Sequence, residues 1–178
     1  MGFNYGVVTI DQRLVEEVRT SLKAPDYEHP AVVEDRATGY GPCRACLKKF
    51  KIGSERRILF TYDPFREVEP YPLPGPIYVH AERCTSYDRT AGFPTELADL
   101  PLTFNAYGPG RELIAQERVH DQDEVEPTIE RLLARRSVEY VHVRNTEAGC
   151  FICSLTRTEA DSPTSGYDDT AVDHPSWR

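Results

Sequence analysis

The chain has 178 residues with 21 basic and 29 acidic side chains, a net charge of -8. That length suits one domain and is too short for two independent cores. The negative field disfavours phosphate backbones and anionic membrane surfaces as partners, so neither nucleic acid nor membrane is expected. Leu, Ile, Val and Phe supply 40 residues, enough for a core but with little apolar surplus. No stretch approaches the roughly 20 apolar residues of a bilayer span, no secretory pattern opens the chain, and Gly6 stands where a myristoylation signal needs Ser or Thr. A cytoplasmic protein is expected.

In chain order, residues 5 to 10 read as a strand. Asp11 caps a helix carrying Leu14, Val15, Val18 and Leu22 on one side and ending before Pro25. Residues 25 to 42 are rich in Pro, Gly and charge and read as an irregular approach to the main domain. Residues 56 to 62 alternate as a strand. Glu69 to Pro76 holds four prolines in eight residues, a stiff loop that cannot be an interior strand or helix. Further strands are expected at 77 to 80, 102 to 107 and 112 to 119, the last two joined by a turn at Gly108-Pro-Gly110. A helix over 124 to 136 places Val125, Ile129, Leu132 and Leu133 on one side, with acids first and Arg135-Arg136 last. Strands at 138 to 144 and 150 to 157 close the domain, and residues 158 to 178, with five acids and one Arg, read as a disordered acidic tail. The expected class is therefore α+β, a mainly antiparallel sheet with one or two packing helices in a single domain. Its organisation is an N-terminal strand and helix with an irregular approach over 1–39, a core over 40–157 and a tail over 158–178.

The five cysteines suit free thiols or metal ligands in a reducing compartment. Cys43-x2-Cys46 followed by His80-x3-Cys84 offers four ligands of the types zinc prefers, provided the backbone turns at the first pair. The competing reading is that Cys46 simply packs in the core. Cys150-x2-Cys153 lies on an expected strand, where alternation puts Cys150, Ile152 and Ser154 on one face and Phe151, Cys153 and Leu155 on the other.

The strand of residues 138 to 145 sets Tyr140, His142 and Arg144 on one face, against Val141 and Val143 on the other. Arg holds carboxylates or phosphates and His moves protons near neutral pH, so this face suits a polar pocket wall as well as an ordinary solvated surface. Tyr78 and His80 share a face of a second strand. His29, His120 and His174 lie in loop-like segments and read as solvated.

Pro42-Cys-Arg-Ala-Cys-Leu47, Gly75-Pro-Ile-Tyr-Val-His-Ala-Glu82 with Cys84, Tyr140-Val-His-Val-Arg-Asn145, Gly149-Cys-Phe151 and Arg157 together resemble the bacterial family catalogued as domain of unknown function 1203, over roughly residues 40 to 157. The resemblance implies a fold and no catalytic role. It further implies that Cys43, Arg44 and Gly149-Cys150 recur in such chains while Cys46, Cys153 and His80 vary, so that a metal site here would belong to a subgroup.

Three functional expectations follow. The leading one is a pocket protein binding a small anion through Arg44, His80, Tyr140 and Arg144; if it is catalytic, His142 is the acid/base and Cys150 the thiolate. The second is a non-enzymatic module braced by zinc on Cys43, Cys46, His80 and Cys84. The third is an interaction protein using the proline-rich loop and the acidic tail.

Overall fold

A computed structural model describes residues 4–66 and 71–158. The tail expected over 158–178 thus lies, from residue 159 onward, outside the described residues. Two antiparallel sheets and two α-helices make up an α+β fold. The larger sheet has the order β1-β8-β7-β5-β6, built from β1 (Tyr5–Val8), β5 (Leu102–Tyr107), β6 (Leu113–Val119), β7 (Tyr140–Asn145) and β8 (Phe151–Arg157). The smaller has the order β2-β3-β4, from β2 (Val32–Glu34), β3 (Arg57–Tyr62) and β4 (Gly75–His80). No helix is long and apolar enough to cross a membrane among the described residues.

Each sheet has its own apolar core. The larger buries Phe104, Ala106, Val141, Val143, Cys153 and Leu155 against α2 (Val125–Leu133). The smaller buries Ile58, Phe60, Ile77 and Val79 against Leu14, Val15 and Val18 of α1 (Gln12–Ser21). The Asp11 side chain caps α1 by accepting the Arg13 amide at 2.6 Å, and Leu22, at φ 52°, ends it. α2 stops at Leu133, three residues short of the periodic pattern, and the Leu133 and Arg135 carbonyls accept hydrogen bonds from Arg157.

Three local expectations need correction. The span 25 to 42 is not wholly irregular, because Val32–Glu34 pairs with β3. Three residues carry too little periodicity to be read from sequence. Gly75 and Pro76 belong to β4, tolerated because β4 is an edge strand where a missing amide donor can face outward. Most consequentially, β8 carries a bulge. Val143 faces Cys153 but Arg144 faces Phe151, which leaves Ile152 as an extra residue. Phe151 therefore turns to the His142 face, while Cys153 and Leu155 stay in the core; simple alternation had put all three together.

The two sheets meet at a seam held by Arg44. Its side chain is 3% exposed. Nε donates to the Phe151 carbonyl at the start of β8 at 2.6 Å, and a terminal N–H donates to the Pro42 carbonyl. The Arg44 amide donates to the Tyr78 carbonyl of β4 at 3.0 Å. Replacing Arg44 by Met keeps the stem but strands two buried carbonyls, so chemical denaturation should show a loss of at least about 1–3 kcal/mol. Unchanged stability would remove Arg44 from this role.

Candidate metal centre and seam pocket

The chain turns back on itself at Cys43. The Leu47 amide donates to the Cys43 carbonyl at 2.8 Å, the Cys43 amide donates to the Lys48 carbonyl at 3.0 Å, and Leu47 adopts φ 59°. This tight turn supplies the condition that two cysteines three apart need in order to point to one centre. The Cys46 amide hydrogen-bonds the Cys43 sulfur and the Lys48 amide the Cys46 sulfur; each bond favours the thiolate, but at Cys46 the neighbouring thiols outweigh it.

β4 ends at His80 beside this turn, and the following loop returns Cys84. The four ligand atoms of Cys43, Cys46, His80 and Cys84 all lie within 4.8 Å of one another. Cys43 Sγ is 3.9 Å from Cys84 Sγ, and Cys46 Sγ is 3.5 Å from His80 Nδ1. The ring's other nitrogen, Nε2, faces Glu55 Oε2 at 3.4 Å, and that carboxylate is held by the Lys51 amide at 2.8 Å. Arg19 of α1 donates to Cys84 Sγ at 3.5 Å and to the His80 carbonyl at 3.0 Å.

The thiols polarise one another. Hydrogen bonds from Cys46 and Cys84 hold Cys43 far below the ordinary thiol range, whereas the bond to Cys43 pushes Cys46 far above it. His80 rises to about 10 through its hydrogen bonds to Cys43 and Cys84. The arrangement is a Cys3His group at metal-binding distances with an oriented histidine. Glu55 and Arg19 were not singled out in the sequence, where nothing in their spacing ties them to the cysteines.

A separate cavity of about 410 Å³ opens at the seam. Tyr62, Pro76 and Ile77 of the smaller sheet form one side, and Asn105 and Arg144 of the larger sheet, with Cys150 just before β8, the other. The Asp63 carboxylate accepts the amide of Phe65 at 2.9 Å and that of Leu73, a lining residue, at 3.1 Å. Arg144 donates to the Gly149 carbonyl at 3.1 Å, but its second terminal nitrogen, although buried, has no hydrogen-bond partner among the described residues. No carboxylate lies within ion-pair distance of this guanidinium among the described residues.

Of the residues expected to share one cleft, Arg144 and Cys150 do so. His80 belongs to the cysteine cluster and Arg44 to the buried seam. His142 and Tyr140 lie beside Arg144 on the same face of β7, outside the cavity lining. His142 is 2% exposed and ringed by Phe65, Tyr107, Tyr140 and Phe151, with centroids 4.6 to 5.4 Å away. Burial, reinforced by the nearby Arg144 and Arg111 charges, lowers its pKa to about 3. The imidazole is therefore neutral at physiological pH. Cys153 is pushed up to about 12 by burial and is inert as a nucleophile. Arg111, stacked over the Phe65 ring at 3.8 Å, escaped notice because it sits in the hairpin turn after β5, far from any motif.

The depressed His142 pKa makes stability depend on pH. Its contribution is complete above the unfolded value near 6.5 and is lost as pH falls towards 3, at up to about 1.4 kcal/mol per pH unit. Between pH 6.5 and 5 the wild-type protein should lose about 1.6 kcal/mol more than His142→Gln in paired denaturation curves. Parallel losses would mean that His142 is protonated in the folded state.

Nothing among curated proteins and nothing among solved structures matches the chain. One family does: the one described as protein of unknown function, DUF1203, matches residues 40–157, a span that holds all four clustered metal-type ligands and the Arg144 and Cys150 wall of the pocket. The chain belongs to the DUF1203 family.

Proposed function

We propose that this protein is a zinc-braced module that binds a small anion at its seam pocket. The observation that carries the zinc reading is the convergence of four ligand atoms within 4.8 Å on three thiols and one imidazole. That donor set suits zinc rather than the hard oxygen-seeking cations. Glu55 on Nε2 supports it, because a carboxylate there fixes the tautomer that leaves Nδ1 free to ligate. Four protein ligands fill a tetrahedral shell and leave no position for water or substrate, so the metal stabilises the fold rather than performing chemistry. With few large apolar residues in the chain, metal binding adds folding free energy that burial alone supplies sparingly.

The anion reading rests on Arg144, a partly desolvated cation with no carboxylate partner and one unbonded terminal nitrogen among the described residues. In this reading His142 is a neutral neighbour that packs beside Arg144, Cys150 is a thiol at the pocket edge, and neither takes part in a reaction. The proline-rich segment contributes Leu73, Pro74 and Pro76 to the pocket lining, which favours a ligand-facing wall over a protein-docking loop.

Protein purified without a metal-affinity tag should contain about one zinc per chain. Chelation should lower its melting temperature and expose the thiols of Cys43, Cys46 and Cys84 to alkylation. Glu55→Gln should weaken zinc binding about 10- to 100-fold while leaving the fold intact in excess zinc. A metal-free protein with unchanged melting after chelation would refute the brace.

A further inference from the structure

We infer that the natural ligand of the seam pocket is a monocarboxylate with an apolar or aromatic body, held by its carboxylate on Arg144; this rests on the anion reading above. The pocket offers one cation. Among the described residues Arg144 is the sole basic side chain in its lining, where it is joined by the neutral Asn105 amide, the Tyr62 phenol and the Cys150 thiol. Asn105 Oδ1 is occupied by the Gln116 side-chain amide at 2.8 Å, so Asn105 has its own amide N–H groups left to offer a ligand. A guanidinium and an amide donor in one lining match a carboxylate, which accepts charge-assisted N–H bonds from arginine.

Charge balance favours a monoanion over a dianion. A second negative charge on the ligand would be desolvated with no cation of its own among the described lining residues. Arg111, whose charge acts on Arg144, stacks on the Phe65 ring and is absent from the cavity lining.

The remaining walls select the rest of the molecule. Tyr62 and Phe151 meet with ring centroids 5.8 Å apart, and Leu73, Pro76 and Ile77 continue the apolar surface. Such walls give no return to a hydrated inorganic ion, whose shell would be stripped without replacement, whereas they bury an aliphatic chain or ring favourably. The volume of about 410 Å³ fits a small organic acid. The Cys150 thiol, in the same wall, provides a built-in reporter of occupancy.

The test uses the zinc-loaded full chain and four probes: phenylacetate, hexanoate, the neutral amide 2-phenylacetamide, and inorganic phosphate. Calorimetric titration should detect both carboxylates and neither of the other two, and phenylacetate should slow alkylation of Cys150. Arg144→Gln should weaken carboxylate binding about 10- to 100-fold, as loss of a charged hydrogen-bond donor implies, without lowering the melting temperature of the free protein. Phosphate binding lost in Arg144→Gln, with no carboxylate binding, would overturn the monocarboxylate assignment and leave the anion reading standing. No binding of any anion would overturn both. Carboxylate binding that survives Arg144→Gln, or that leaves Cys150 unprotected, would place the ligand elsewhere and refute the assignment to this pocket.

Discussion

The fold turns on a buried guanidinium. Arg44 sits between Cys43 and Cys46, and its side chain crosses from that turn to the Phe151 carbonyl of the larger sheet. Desolvating a cation is expensive, and burial holds Arg44 down at about 10, with opposing influence from the Cys150 and Cys43 thiols. The cysteine cluster gives that charge a reason to be there. In the proposed centre, three thiolates and a neutral imidazole around a divalent zinc would carry a net charge of -1 that the buried Arg44 would offset, while Arg19, which donates to Cys84, is itself paired with Glu16 at 2.7 Å. The proposed centre and the seam are thus electrostatically interdependent: the sulfur cluster offsets the buried arginine, and the arginine ties the cluster's turn to the second sheet.

The pocket follows from the same geometry. Where β4 and β8 approach, their opening residues Gly75, Pro76, Ile77 and Phe151 line a cleft between the two sheets. β4 links the two sites along one strand, with Pro76 and Ile77 lining the pocket and His80 four residues beyond Pro76 at the cysteine cluster. The bulge at Ile152 turns Phe151 towards Tyr62 and closes the apolar wall. Without that extra residue, Phe151 would lie with Cys153 and Leu155 against α2, and the pocket would lose its aromatic side.

Much of this was legible in the sequence, and the failures have physical causes. Among the described residues, strand alternation and helical periodicity located both helices and seven of the eight strands, most of which have an apolar face to bury. The cysteine spacing named the four residues that do cluster, but spacing alone left core packing as a competing account of Cys46, which is indeed buried in the core of the smaller sheet. Alternation failed at β8 because a bulge adds a residue without any compositional mark. It also correctly grouped Tyr140, His142 and Arg144 on one face, yet could not tell that aromatic rings from β5, β8 and the 63–66 turn would bury His142 and leave Arg144 to the pocket. Arg44 and Arg144 looked alike as anion ligands; burial made one a structural tie and the other a candidate binding group. Glu55, Arg19 and Asp63 act through contacts 25, 65 and 10 residues away, which local patterns do not encode.

The most direct test of the account is zinc-edge X-ray absorption on the protein as purified. The account predicts a four-coordinate shell of three sulfurs at about 2.3 Å and one nitrogen at about 2.0–2.1 Å, with the nitrogen replaced in His80→Cys by a fourth sulfur. A shell dominated by oxygen or nitrogen, or one unchanged in His80→Cys, would contradict a Cys3His zinc centre at the seam.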